Sequence, residues 1–151
     1  MRALTFLLAS LAVLASEALA KPGYPDWVAP CMDQAPAIDA VENDFDALVL
    51  LDEAEIEYKG RGVVEETVRR ALHVFNRDGR EYASVGIPLS KGHNLKRFNG
   101  WIIYASGKVE RLKKSDLVEV AVDRDMLRSD SVMLQLVRSE SMRKGTVFAY
   151  E

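Results

Sequence analysis

Cysteine is almost missing: 151 residues contain 1, Cys31. A single cysteine forms no internal disulfide, so stability has to come from packing. Histidine is nearly as scarce, with only His73 and His93, and neither sits at metal-ligand spacing from other donors, which argues against zinc. A cationic excess is also lacking, with 20 Lys and Arg against 23 Asp and Glu and a net charge of −3, both signs being mixed along the chain. That balance argues against a nucleic-acid surface, and no nucleic-acid partner is expected. Long apolar runs are absent except at the N-terminus, so the mature chain predicts no membrane span. There is no glycine-rich phosphate loop, no internal repeat and no low-complexity segment.

The N-terminus is the exception. Arg2 supplies a short positive end, 4–15 form an apolar run, and Ala18-Leu19-Ala20 is a small-residue cleavage site. Residues 1–20 therefore predict a secretory signal peptide, with an uncleaved anchor as the alternative, and the mature chain is expected to begin near Lys21. No cysteine follows the apolar run, so no lipid anchor is expected there. The expected location is periplasmic or extracellular. Four of the five prolines, Pro22, Pro25, Pro30 and Pro36, fall in 21–43. This segment reads as an extended lead-in, with a helical turn around 37–42, and Trp27 is the side chain placed to plug it onto a sheet.

The body, 44–151, is organised around 46–76. Ala54, Ile56 and Tyr58 alternate with Glu53, Glu55 and Glu57, the pattern of a strand with one dry and one wet face. Gly60 and Gly62 flank Arg61 and suit a tight turn. Closing the hairpin there sets Tyr58 opposite Val64, Ile56 opposite Glu66 and Ala54 opposite Val68. The same register sets Asp52 opposite Arg70 and Glu53 opposite Arg69, which is favourable. It also sets Leu50 opposite Leu72 and Leu48 opposite Val74. Glu57 opposite Glu65 counts against it. Val64, Val68, Leu72 and Phe75 also fit a helical face, a rival reading for the second arm. The turn signal Asn76-Arg77-Asp78-Gly79 and the first arm's need for a partner favour the strand.

Further strands are expected over 81–88, with Ala83, Val85 and Ile87 on one face, and over 95–104 around Trp101-Ile102-Ile103. Pro88 marks the end or the edge of the first of these. The Ser106-Gly107-Lys108 turn leads to a strand over 109–112; Val118, Val120 and Val122 alternate, as do Val132, Leu134 and Leu136; and 146–150 form a last apolar strand. Residues 89–94 and 123–130 read as loops. Strands this frequent predict an all-β, antiparallel β-sandwich-like domain of about seven strands.

No pattern predicts catalysis, and no cofactor is expected. Cys31 lies in the proline-rich segment, without a neighbouring base or the helix start that would activate a thiol, so it reads as a bystander. His73 reads as a structural residue in a strand and His93 as a loop residue. Glu53, Glu55 and Glu57 share one strand face and read as a solvated row rather than carboxylates flanking a cleft. Asp123-Arg124-Asp125 lacks the glycine and distal glutamate of a calcium loop. Arg111, Lys113 and Lys114 are too few for a basic patch. Trp101 and Tyr104 are candidates for sugar stacking, but opposite parity sends them to opposite faces of one strand.

Several strings, taken in order, resemble one family. They are Leu-Leu-Asp-Glu-Ala-Glu-Ile-Glu-Tyr, Arg-Arg-Ala-Leu-His-Val-Phe-Asn-Arg-Asp-Gly-Arg-Glu, Ser-Gly-Lys-Val-Glu-Arg-Leu, the Pro-Asp-Trp-Val opening and the closing Lys-Gly-Thr-Val-Phe-Ala-Tyr-Glu. The family is the uncharacterised β-rich domain N-terminal to transglutaminase-like domains in exported bacterial proteins, and the resemblance covers 27–151. It implies a sandwich-like accessory module whose catalytic partner domain lies elsewhere. It also implies more strands after the last one, so either the chain is the front part of a longer protein or the sheet is short, and a missing partner strand would leave an unpaired edge. The expectation is a non-catalytic exported module that positions a transglutaminase-like domain or another envelope protein. The alternative is a carbohydrate- or peptidoglycan-binding module, and an enzyme using Cys31 with a histidine ranks third. Trp27, Trp101 and Tyr104 are the expected docking residues.

Overall fold

The computed structural model describes residues 22–39, 45–89, 92–121, 132–136 and 142–151. The signal-peptide reading, Val122 and the whole 123–130 loop with its Asp123-Arg124-Asp125 stretch lie outside them. Among the described residues there are eight strands in two antiparallel sheets and one helix, an all-β domain with a helical lead-in.

The strands are β1 (Ala47–Gly60), β2 (Val63–Val74), β3 (Gly86–Leu89), β4 (Asn99–Ile103), β5 (Val109–Lys113), β6 (Leu117–Ala121), β7 (Val132–Leu136) and β8 (Thr146–Tyr150). The larger sheet has the order β1-β2-β8-β4-β5, the smaller β3-β7-β6. The last strand, β8, is bonded to β2 on one side and β4 on the other. β8 itself therefore has no unpaired side; among the described residues the edges of this sheet are β1 and β5.

The opening hairpin forms, and the helical alternative for its second arm does not. From Leu51 to Tyr58 the register is the one set by the Gly60-Arg61-Gly62 turn: Tyr58 faces Val64, Ala54 faces Val68 and Asp52 faces Arg70. Gly60, Arg61 and Gly62 all have positive φ (86°, 55° and 77°), which explains the two glycines. Near the base the expected pairing slips by one. Val49 faces Leu72 and Leu48 faces His73, because a bulge absorbs Leu50. The bulge lets Leu50 and Leu51 both pack toward the helix side of the sheet.

The lead-in is helical rather than extended. A 3-10 turn (Asp26–Val28) runs into α1 (Ala29–Asp39), which begins well before the expected helical turn. Pro30 occupies the first turn, where a missing N–H costs no hydrogen bond. The strand expected over 81–88 also shrinks to β3. Residues 78–81 form a 3-10 turn, while Ala83 and Val85 are buried in irregular chain. The strand expected over 95–104 shortens to β4.

The larger sheet is covered on both faces. Leu72, Ile102, Leu112 and Phe148 point to one side, where they meet Leu136 of the smaller sheet and Val85, Phe98 and Met142 of the connecting segments. Ala71, Ile103, Val147 and Ala149 point to the other, against Val28, Cys31 and Ala35 of the lead-in. Period-two alternation in β2, β4 and β8 divides these sets, with even positions on one face and odd on the other.

Candidate functional site

β2 is paired with β8 only from Arg70 to Val74, so the rest of the hairpin extends past the sheet body. The overhang on β2, 63–69, spans about 24 Å at strand rise. On one of its faces lie Ala54, Ile56, Tyr58, Val64 and Val68, the face expected to be dry, together with Glu66 opposite Ile56. It is not dry: of these side chains only Val68 is half-buried and the rest are exposed. Ile56 is 70% exposed, Tyr58 68% and Val64 59%. Nothing among the described residues covers them. Tyr58 turns back along the tip, where its hydroxyl oxygen accepts the Gly62 N–H at 3.3 Å.

The opposite face carries charge. Glu57 and Glu65 face each other, as the register requires, but each has its own lysine: Lys59 for Glu57 and Lys96, at 3.1 Å, for Glu65. The Lys96 ammonium holds the Glu65 carboxyl below the usual glutamate range. The Glu57 hydrogen bond raises Lys59 in turn, with Glu65 and Glu55 adding to the same field. Arg69 donates to Glu151 at 2.9 Å and lies 3.8 Å from Glu53. This ties the hairpin across 82 residues of sequence to the end of the described chain. On the first face, toward the base, Arg70 lies 3.7 Å from Asp52. Both cross-strand charge pairs expected from the sequence are present.

The base of the hairpin is knotted. The Asp46 carbonyl accepts the Phe75 N–H at 2.9 Å, and the Asp46 carboxylate accepts the Asn76 side-chain amide at 2.7 Å. The Asn76 side-chain oxygen accepts the N–H groups of Asp78 and Gly79. That is an Asx turn, the physical content of the Asn-Arg-Asp-Gly signal.

Trp27 and Trp101 meet edge-on, their ring centroids 6.0 Å apart, on the helix side of the sheet. Trp27 thus anchors the lead-in. Tyr104 lies at the end of β4 on the other side, its hydroxyl donating to Glu110 at 2.9 Å. The three side chains do not form one surface.

Cys31 is buried, with its thiol pointing at the Trp27 carbonyl oxygen 3.9 Å away. Burial pushes the thiol up from its ordinary value, the opposite of what an attacking thiolate needs. His73 is buried in β2 and packs edge-on against Phe75, at 4.9 Å between centroids. His93 is exposed in the segment before β4. Among the described residues no three His, Cys, Asp or Glu side chains are grouped to hold a metal ion. An open cleft of about 610 Å³ lies between the turn at Tyr104–Lys108 and the start of β8, lined by Lys108, Arg143, Lys144, Ser106 and Thr146. Its Thr146 hydroxyl is occupied by the Arg143 N–H at 3.1 Å. Among the described residues no helix is long and apolar enough to cross a membrane.

No protein-family model matches this chain, and no curated protein or solved structure is significantly similar to it. The functional reading therefore rests on the geometry. Its most distinctive feature, the exposed half of the hairpin, was visible in the sequence as alternation. What alternation cannot show is whether anything lies across from it.

Proposed function

We propose that the chain is an exported, non-catalytic accessory module of the kind that accompanies transglutaminase-like domains, and that its work is to hold or position a protein partner. One observation carries this reading. The hairpin overhang displays Ile56, Tyr58 and Val64 close together on one face of a two-stranded arm, away from the core. Scattered exposed apolar residues are ordinary, whereas a cluster on one face marks a contact surface. The setting of Cys31, buried and raised, supports a non-catalytic role.

The alternative, a carbohydrate- or peptidoglycan-binding module, draws less support. A sugar platform needs aromatic faces side by side, and Trp101 is taken up edge-on by Trp27 while Tyr104 lies on the other side of the sheet.

The test is calorimetric titration of the chain lacking residues 1–20 with each transglutaminase-like domain encoded in the same genome. We expect saturable binding to at least one, weakened tenfold or more by Ile56→Asp. Failure to bind any of them removes the transglutaminase link. Retention on purified cell wall, lost in Trp101→Ala but not in Ile56→Asp, would replace this reading with the alternative.

A further inference from the structure

We infer that the outer edge of β1 is a template for an added strand, and that the strand it accepts alternates cationic with apolar side chains. This rests on the interaction reading above and names the partner's chemistry.

The backbone comes first. β1 is 14 residues long and sits at the edge of its sheet, bonded to β2 alone among the described residues. Such an edge presents a row of unused N–H and C=O groups that can pair with an incoming chain. The usual protections are thin here. Between Leu51 and Tyr58 there is no proline and no bulge, and Lys59 is the strand's single lysine. Strand addition draws affinity from main-chain hydrogen bonds and specificity from alternate side chains.

Those alternate side chains define the partner. An added strand continues both faces of the arm. On one face its side chains would lie beside Ile56 and Tyr58, which are exposed and apolar. On the other they would lie beside Glu53, Glu55 and Glu57, all exposed. Glu55 makes no ion pair among the described residues and faces Thr67; the cations whose field it shares, Arg69 and Lys59, are already bonded to Glu151 and Glu57, so the centre of this row has no cation of its own. The protein itself supplies a precedent on the other side of the arm, where Lys96 pairs with Glu65 of β2.

The same acids disfavour a second copy. Two β1 strands paired about a two-fold axis normal to the sheet bring same-parity residues together. In the register centred on Glu55, which overlaps the straight part of the strand most fully, the Glu53, Glu55 and Glu57 row of one copy would oppose the same row of the other. Like charges directly opposite are destabilising. In that register the edge disfavours its own kind and favours a basic strand.

The probe is a capped synthetic nonapeptide alternating lysine with valine or isoleucine. Its control has the same composition with the lysines in one block. Binding is followed by titration, and amide hydrogen exchange is followed along β1. We expect the alternating peptide to bind saturably and to slow exchange between residues 51 and 58. Glu55→Lys should weaken it about fivefold, the scale of an exposed charge reversed. Glu81→Lys, an exposed acid outside the arm, should leave it unchanged. Equal binding of the blocked control, or binding with no slowing of β1 exchange, would overturn strand addition. So would sedimentation as a dimer with β1 amides already protected. The two readings separate cleanly. A transglutaminase-like domain that binds without protecting β1 leaves the positioning role standing and removes the added strand. A peptide that adds to β1 while no such domain binds does the reverse.

Discussion

Gly79 should be the least replaceable glycine among the described residues, for a reason unrelated to its backbone angles. A Cβ at this position would lie 2.0 Å from the Asp46 carbonyl oxygen, 2.8 Å from the carbonyl carbon and 3.3 Å from a methyl of Val74. Non-bonded heavy atoms sit at roughly 3.5–4.0 Å, so one backbone segment has to shift by more than about 1 Å. The segment that would yield is already committed. The Asp46 carbonyl holds the Phe75 N–H, and the Asp46 carboxylate holds Asn76, which in turn holds the N–H groups of Asp78 and Gly79. Forced overpacking costs about 1–3 kcal/mol. Each hydrogen bond lost adds about 1 kcal/mol. Gly79→Ala should therefore cost about 2–5 kcal/mol. For a domain of this size that lowers Tm by on the order of 10 °C. The comparison is Gly107→Ala, where φ is +82° but no atom lies within 4 Å of the new methyl. There only the left-handed backbone is at stake, worth about 1–2 kcal/mol. Urea unfolding of both variants, with unchanged m-values, gives the two costs directly. A Gly79→Ala cost no larger than that of Gly107→Ala would refute the close approach and with it the knotted hairpin base.

Two predictions concern titrating groups. Cys31 is raised by burial, so in the native state its alkylation by iodoacetamide should be slower than that of free cysteine, with its rise displaced to higher pH. Between the unfolded and the folded thiol values the unfolded state binds fewer protons, so stability should fall as pH rises through that window, and Cys31→Ala should remove this component; native alkylation as fast as free cysteine contradicts it. Glu65 is lowered by Lys96, so the interaction is in place above the ordinary glutamate value and is lost as pH falls through the folded one. Carboxyl NMR titration should place Glu65 below the usual range, and Lys96→Met should return it there; an unchanged midpoint would show that the pair is not formed in solution.

The hairpin was legible because three independent signals agreed on one register. Alternation fixed the faces, the Gly-Arg-Gly turn fixed the phase, and Asp52 with Arg70 and Glu53 with Arg69 matched across it. The bulge was not legible, since Leu48, Val49, Leu50 and Leu51 form an unbroken apolar run that carries no phase. The helix was hidden by its prolines, which read as extended chain although Pro30 in a first turn is compatible with a helix. Ala83 and Val85 alternate and are buried, but in irregular chain, because burial on one side needs an inward side chain rather than a ladder. The central position of β8 depends on pairing with strands tens of residues away, which no local pattern encodes.

The same limit governs the candidate site, and it leads to a prediction that separates folding from function. Alternation marks Ile56 and Val64 as apolar positions on one face but cannot say whether that face is buried in the isolated chain. If these side chains serve the core, replacing them with a β-branched polar residue should cost what a partly buried aliphatic residue costs. If they serve a contact, the isolated protein should hardly notice. Both are more than half exposed, and threonine keeps the branched shape that suits a strand. Ile56→Thr and Val64→Thr should each change stability by less than about 0.5 kcal/mol, the range of ordinary surface substitutions. They lie on opposite arms with different partners, Glu66 for Ile56 and Tyr58 for Val64, so the double variant should be close to the sum. Chemical denaturation of the three variants measures this without any partner present. A loss above about 1 kcal/mol for either single variant would mean that the arm folds down onto the body in solution, and the displayed cluster would no longer be a surface available to anything else.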